Sequence, residues 1–576
     1  MTVTNNAPSR PWPVRIARDA AHGAAIEPWH GVSVIDEPEG AGWSGLTTAG
    51  PDPLLLRARL DPAAGGPTEG YALRLWADSD GRRRLEAVAA TQAGLRHARR
   101  TAEAIIQSRY AVTTTITDHP EIARRGLLEC FYGPAWSERD RHTMITEAAA
   151  WGMNSYCYGP SGDPHVGVGW RQPYDVAKRA EFERLAALGA RTGVEICFRI
   201  SPSAPLEPAA GMVFSDPDET ALLLARLDDL LDTGLTTILL AFDDVENGLV
   251  HEADRRAFAA DPHPVAAAHA RVARAVGEHL AARGANLVIC PIRYWGTEPD
   301  AYNTRLTELI GDAPAAVEYC WTGPRVTSAR ITVADAAGGA ARHGGRPLFL
   351  WDNYPVNDWD SVDPATGAPA RRRLFLAPMQ GRAGGIGRHL GSYLVNGTGE
   401  PLPGIPALAT AAQWAWNPTA YEAGAAWQDV LERYDEHGGL AQLAAMASSS
   451  PLHLTPPHPL AVAVFEYLAG ARDAATVRSR LADARRHLRG MPEALALTQW
   501  VSDVTFQLDA AESAVNLIEA FRHDDDHALA DAAQWLADRR HRLDAPFPPA
   551  LLDGALIPLV ERGRGLAGGP IPPHDV

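Results

Sequence analysis

Leu239-Leu240-Ala241-Phe242-Asp243-Asp244 is an apolar, strand-like run that stops at two adjacent carboxylates. Consecutive side chains on a regular strand face opposite sides, so neighbouring Asp residues share one site only where the strand ends and the chain turns. That places Asp243 and Asp244 at a strand's C-terminal mouth. In an α/β barrel this mouth is where catalytic groups gather, supplied by the ends of several strands. Paired carboxylates there suit acid–base chemistry at a glycosidic bond. The competing reading is an ordinary helix cap. Asp228-Asp229 and Asp524-Asp525-Asp526 lie in helical or very polar sequence and are expected to be solvated.

Outward from that run, short apolar stretches alternate with helical segments from Gly126 onward, the pattern of a parallel sheet. The expected strands are Gly126–Gly133, Ser155–Gly159, Glu195–Ser201, Thr237–Asp244, Asn286–Tyr294, Ala316–Gly323, Pro347–Asn353 and Gly391–Asn396. Eight such units over about 280 residues match the size of a (β/α)8 barrel. Tyr132, Tyr158, Ser201, Asp243, Asp244, Tyr294, Trp321, Asn353 and Asn396 then ring one mouth.

The expected organisation is an N-terminal α/β support domain (1–120), the barrel (121–415) and a C-terminal helical domain (416–576). In the first, Tyr71–Trp76 and Arg84–Val88 read as paired strands around the turn Asp78-Ser79-Asp80-Gly81, followed by a helix over Thr91–Gln107. Beyond Pro401, helical spacing covers Thr410–Trp416, Tyr421–Tyr434, Leu460–Ala469, Asp473–Arg489, Pro492–Phe521 and Asp525–His541. Pro451–Pro457 reads as a linker and the tail from Gly563 as loose. Gly563-x-Gly565-x-x-Gly568 follows no strand, so it is no dinucleotide site.

The chain has 576 residues, 46% hydrophobic and 21% charged, the composition of a soluble globular protein. A net charge of -17 disfavours nucleic acid and anionic membranes, which need a basic footprint. Cys130, Cys157, Cys197, Cys290 and Cys320 form no C-x-x-C pair and read as buried free thiols. No signal-peptide core occurs between Met1 and Ala21, so a cytoplasmic location is expected. Lys178 is the only lysine. Clustered metal ligands and a G-x-S-x-G elbow are both missing, and His263 and His269 read as surface residues of a helix. Carboxylates are left as the chemical resource, with neither metal nor cofactor.

Arg125-Gly126-Leu127-Leu128-Glu129-Cys130-Phe131-Tyr132-Gly133 with Trp136-Ser137 resembles the opening barrel strand of glycoside hydrolase family 84, the O-GlcNAcases and bacterial β-N-acetylglucosaminidases. The resemblance continues in order and spacing through Asn154–Pro160, Trp170-Arg171-x-Pro173-Tyr174, Phe242-Asp243-Asp244-Val245, Cys290-Pro291-x-x-Tyr294, Trp321–Pro324 and Trp351-Asp352-Asn353-x-x-x-Asn357-Asp358. It implies exo-acting, retaining, substrate-assisted hydrolysis of β-linked N-acetylglucosamine in a carbohydrate or glycoconjugate. The sugar's 2-acetamido oxygen is then the nucleophile and an oxazoline the intermediate. By the same resemblance Asp243 accepts from the acetamido N–H as a carboxylate. Asp244 protonates the leaving oxygen and then activates water. Adjacent like charges push two carboxyl groups toward different protonation, which serves both roles at one pH.

The resemblance also places Tyr294 beside the reacting centre, Asn353 on the acetamido group, Trp351 as a wall of the acetyl pocket and Asp358 on the distal hydroxyls. The chain departs from the family at three places. Cys130 stands in E-C-F-Y-G, where the family reads E-G-F-Y-G and makes its contact mainly through backbone. Ser161 stands where the family carries a sugar-contacting lysine. Asn396-Gly397-Thr398 replaces Asn-Pro-Asn or Asn-Pro-Met. The changed rim raises two alternatives, the same chemistry on a modified N-acetylhexosamine or small-molecule glycoside, and a non-catalytic sugar-binding protein on this fold.

Overall fold

The computed structural model describes residues 19–566 apart from 40, 65, 109–111, 246–247, 312–316, 359–373, 436, 448–457, 489–490, 492 and 540–555. Seven strands form the N-terminal sheet: β1 (Asp19–Ala25), β2 (His30–Asp36), β3 (Thr48–Asp52), β4 (Leu54–Leu60), β5 (Tyr71–Ala77), β6 (Arg83–Ala89) and β7 (Val112–Asp118). Their order is β1-β7-β5-β6-β4-β2-β3, parallel between β2, β4 and β6 and antiparallel elsewhere. Strict alternation in β5 turns Tyr71, Leu73 and Leu75 inward and Ala72 and Arg74 outward. The inward set joins Leu54, Leu56 and Leu85, and packs with Leu95, Ala98, Ala102 and Ile105 of α1 (Gln92–Ser108). Each such leucine contributes about 1.5–3 kcal/mol by leaving water. The expected turn between β5 and β6 forms. Gly81 takes φ +78°, and the Asp78 carboxylate accepts from the backbone N–H groups of Asp80 and Arg82.

All eight expected barrel strands form: β8 (Arg124–Glu129), β9 (Ser155–Tyr158), β10 (Glu195–Ile200), β11 (Thr237–Ala241), β12 (Asn286–Cys290), β13 (Val317–Trp321), β14 (Leu348–Asp352) and β15 (Leu390–Asn396). They pair in parallel and close, β15 on β8, into a complete barrel. Most end earlier than their apolar runs suggest. The β11–β12 ladder stops at Ala241 opposite Cys290, and Phe242, Asp243 and Asp244 lie beyond it. Hydropathy marks where side chains are buried, while pairing stops where the backbones part. That interval is the mouth.

The barrel interior holds Leu128, Cys130, Cys157, Cys197, Leu239, Ala241, Val288, Cys290, Cys320, Phe349, Trp351 and Leu394. All five cysteines are free and buried, as expected. Burial pushes the thiols of Cys157, Cys290 and Cys320 up, which keeps them protonated.

His269 departs from its expected surface position. It lies in helix α2 (Pro264–Ala282) but is buried, with its ring stacked on Phe242 at 4.1 Å and its Nδ1 2.8 Å from the Tyr302 hydroxyl. Helical spacing alone did not show which side of the helix meets the barrel. Asp228 and Asp229 are half-buried in ion pairs with Arg283 and Arg179, whereas Asp524–Asp526 are exposed.

Chain contacts divide the structure into two units, residues 1–354 with 379–397 and 408–429, and residues 355–378 with 398–407 and 430–576. Helix α3 (Pro401–Trp416) starts well before the expected Thr410, and Gly439–Ala447 is a further helix that the sequence reading passed over. Of the tail expected to be loose, Gly563–Leu566 close helix α4 (Ile557–Leu566), and 567–576 fall outside the described residues. A Cβ at Gly563 would sit 2.9 Å from Ala514 Cα, so glycine lets this helix lie against its neighbour. The expected linker Pro451–Pro457 falls outside the described residues. No helix among the described residues is long and apolar enough to cross a membrane.

Candidate active site

The backbone after β11 gives the two carboxylates different surroundings. Phe242 N–H still donates to Cys290 O (2.8 Å), and Asp243 follows with only 6% exposure. Asp244 then takes φ +57°, a left-handed conformation that Asp tolerates better than most side chains. This is the turn that two adjacent Asp residues need in order to share one mouth.

Asp243 faces Arg199, which projects inward from β10 two residues beyond the interior Cys197. One guanidinium nitrogen, Nη2, lies 3.2 Å from both Asp243 oxygens, and Arg199 is 4% exposed. Burial pushes the Asp243 carboxyl up, Arg199 draws it down and Asp244 adds to the rise, leaving it above the usual carboxylate range. Burial opposes the charge on Arg199, but Asp243 more than restores it, so the guanidinium stays charged.

Asp244 is exposed and gripped by two phenols. Tyr132 Oη donates to Oδ2 at 2.7 Å and Tyr294 Oη to Oδ1 at 3.0 Å. Burial, reinforced by Asp244, pushes both phenols up, so both keep the proton they donate.

A second network closes the wall opposite. Trp351 Nε1 donates to Asn353 Oδ1 (2.9 Å), and Asn396 Nδ2 donates to the same oxygen (3.1 Å). An indole N–H only donates, so it fixes which end of the Asn353 amide is which, and Nδ2 donates to Val326 O (2.9 Å). Asn396 also spans the Cys130 backbone, accepting from its N–H at 3.3 Å and donating to its O at 2.9 Å. Trp351 and Cys130 belong to the barrel core against which Tyr294 packs.

The structure thus brings Asp243, Asp244, Tyr294, Cys130, Trp351, Asn353 and Asn396 to one mouth. Ser161 sits half-buried in the turn after β9, its N–H donating to Phe131 O (3.1 Å). Lys178 is committed elsewhere, its ammonium paired with Glu181 at 2.9 Å and set over the Tyr158 ring. Gly397 has a packing reason, since a Cβ there would lie 2.7 Å from the Trp136 ring. Asp358 belongs to the second unit, beside Asn357, whose side chain donates to Glu400 (3.1 Å) and accepts from Gly399 N–H (3.0 Å). Arg199 was not singled out from sequence. Its signal is a lone charge inside the apolar run Ile196–Ile200, in phase with the inward Cys197.

A model of the β-N-acetylglucosaminidase family matches residues 125–448, from the first barrel strand into the helical region. The chain belongs to the β-N-acetylglucosaminidase family. The resemblance to glycoside hydrolase family 84 is thereby borne out, and with it the class of enzyme, a glycoside hydrolase. Mouse and rat Protein O-GlcNAcase are each 27% identical over 292 residues, which is 50% of this chain and 29% of theirs. The chain therefore matches under a third of those relatives' length. An O-GlcNAc hydrolase mutant of Thermobaculum terrenum superposes with TM-score 0.66 at 21% identity, covering 77% of this chain and 94% of the other. CpGH84B superposes with TM-score 0.73 at 17% identity, covering 95% and 100%. At those identities the likeness is one of fold, and the fold is the expected barrel with its flanking sheet and helices.

Proposed function

We propose that the chain hydrolyses terminal β-linked N-acetylglucosamine, with retention, through an oxazoline formed by the substrate's own acetamido group. The observation that carries this reading is the unequal setting of two adjacent carboxylates, Asp243 buried on a guanidinium and Asp244 exposed between two hydroxyl donors. In the first step the acetamido oxygen bonds to the anomeric carbon as the bond to the leaving oxygen breaks. Asp244 gives that oxygen its proton, and Asp243 accepts from the acetamido N–H and steadies the growing positive charge. In the second step Asp244 takes a proton from water, which attacks the anomeric carbon and reopens the oxazoline. Trp351 and Asn353, held by a shared hydrogen bond, support the reading as wall and contact of the acetyl pocket. Asp358 is assigned the distal hydroxyls, and a cytoplasmic site of action is part of the same reading.

Two features of the rim favour a second substrate class within the same chemistry, a modified N-acetylhexosamine or small-molecule glycoside. Ser161 supplies no charge where the family has lysine, and Asn396 spends its amide on Cys130 backbone and Asn353. A panel of aryl β-glycosides with and without the 2-acetamido group tests the reading. Turnover confined to 2-acetamido sugars, falling steeply as the acetyl methyl is progressively fluorinated, is expected. A glycosyl adduct trapped on either Asp would replace the mechanism with ordinary double displacement.

A further inference from the structure

We infer that Arg199 is a positioning residue: its guanidinium holds Asp243 in place and favours the charged form that accepts from the acetamido N–H. The inference rests on the reaction proposed above, in which Asp243 accepts and Asp244 donates. Two adjacent carboxyl groups with one proton between them have two arrangements, and only one is productive. If the proton sits on Asp243, the acetamido N–H has no anionic acceptor and the leaving oxygen no acid.

Burial by itself favours the unproductive arrangement, because the more buried carboxyl is the one whose charge costs more. The groups facing Asp243 are Arg199 from β10, Cys290 from β12, Cys320 from β13, Tyr132 and Tyr294 from the loops after β8 and β12, and Asp244 beside it. The thiols and phenols are neutral and Asp244 is acidic, so Arg199 is the group that opposes the effect of burial. Its Nη2 meets both carboxylate oxygens at 3.2 Å, which sets the guanidinium on the axis of the carboxyl group and favours its charged form.

Room is made for this side chain. At Gly159 a Cβ would lie 2.4 Å from Arg199 Cβ and 3.0 Å from Cys130 Sγ. The arrangement also has a cost that mere filling would avoid, since Arg199 Nε is buried with no hydrogen-bond partner. A leucine or methionine would fill the space without an orphaned donor. The charge is what the position retains.

The test measures kcat and KM against pH on an aryl β-GlcNAc for the wild type, Arg199→Met, Arg199→Lys, Asp243→Asn and the double variant Arg199→Met/Asp243→Asn. Arg199→Met should move the acid limb of kcat up by about one pH unit or more and lower kcat about tenfold at neutral pH, with KM nearly unchanged. Arg199→Lys should restore much of the profile. In the Asp243→Asn background the Met substitution should add little further loss. An even loss across pH with an unmoved acid limb, or losses that simply multiply in the double variant, would overturn the inference. Absence of turnover on every 2-acetamido glycoside by the wild type would instead defeat the reaction reading. Melting temperatures then decide on the pair itself: Arg199→Met should lower Tm and the added Asp243→Asn recover it, and additive losses would show that the two do not act together.

Discussion

Removing the Tyr294 hydroxyl alone, by Tyr294→Phe, isolates one of the two contacts that aim Asp244. The ring and its packing on the barrel core stay, and a 3.0 Å hydrogen bond to Oδ1 is lost, while the 2.7 Å bond from Tyr132 to Oδ2 remains. A hydrogen bond to a charged group contributes about 1.5–3 kcal/mol. Because the surviving phenol still tethers one oxygen, the loss belongs at the lower end, and about 1.5 kcal/mol corresponds to roughly a tenfold fall in kcat/KM. The fall should depend on the leaving group. With a strongly acidic phenol as leaving group little proton donation is needed and the loss should shrink to a few-fold, whereas an alkyl or sugar aglycone should show all of it. Steady-state kinetics on a graded aryl series would read this directly. Removing both hydroxyls should exceed the product of the single losses, since Asp244 would then swing from its left-handed turn. Unaltered kinetics in Tyr294→Phe, or the same loss for every leaving group, would refute the claim that the phenols aim the acid.

Asp244→Ala should slow glycosides with poor leaving groups far more than activated ones, and equal losses would remove the acid assignment. Ser161→Lys should improve turnover of simple aryl β-GlcNAc, on which wild-type rates are expected to be low, because Lys178 is tied to Glu181 and cannot stand in. No gain, or ordinary wild-type rates, would make that departure neutral. Burial lowers the His269 imidazole to about 3, against an ordinary value of 6.5. Between those values the unfolded chain binds the proton and the folded one does not, so stability falls as pH drops through 6.5 toward 3, by at most about 1.4 kcal/mol per pH unit from this group. His269→Phe, which keeps a ring against Phe242, should flatten that acid slope in thermal melts, and an unchanged slope would assign the acid sensitivity elsewhere.

The barrel was legible because each strand is a short apolar run of four to seven residues, and eight in succession with helices between them admit few other closures. The mouth was legible in part: Tyr132, Asp243, Asp244, Tyr294, Asn353 and Asn396 meet there, whereas Tyr158 and Trp321, one residue past the inward Cys157 and Cys320, turn outward onto Phe182 and Gly339 of the surrounding helices. Strand ends were not legible, because Phe242 is as apolar as Leu239 yet lies past the last paired residue. Arg199 escaped for a related reason, since a single arginine in a strand ordinarily marks an outward face. Only its phase with Cys197 says otherwise, and that phase matters once closure has defined an inside. His269 was misplaced because an alanine-rich helix shows weak contrast between its faces, and the ring that buries it comes from a loop.

The five buried cysteines turn the protein into a reporter of its own breathing. Cys130 stands at the mouth, but Cys157, Cys197, Cys290 and Cys320 are at most 2% exposed, so the rate at which a maleimide or disulfide probe consumes these four measures how often the strands part. Since their sulfurs sit on β9, β10, β12 and β13, the order in which they react would map which seam opens first, without any engineered label.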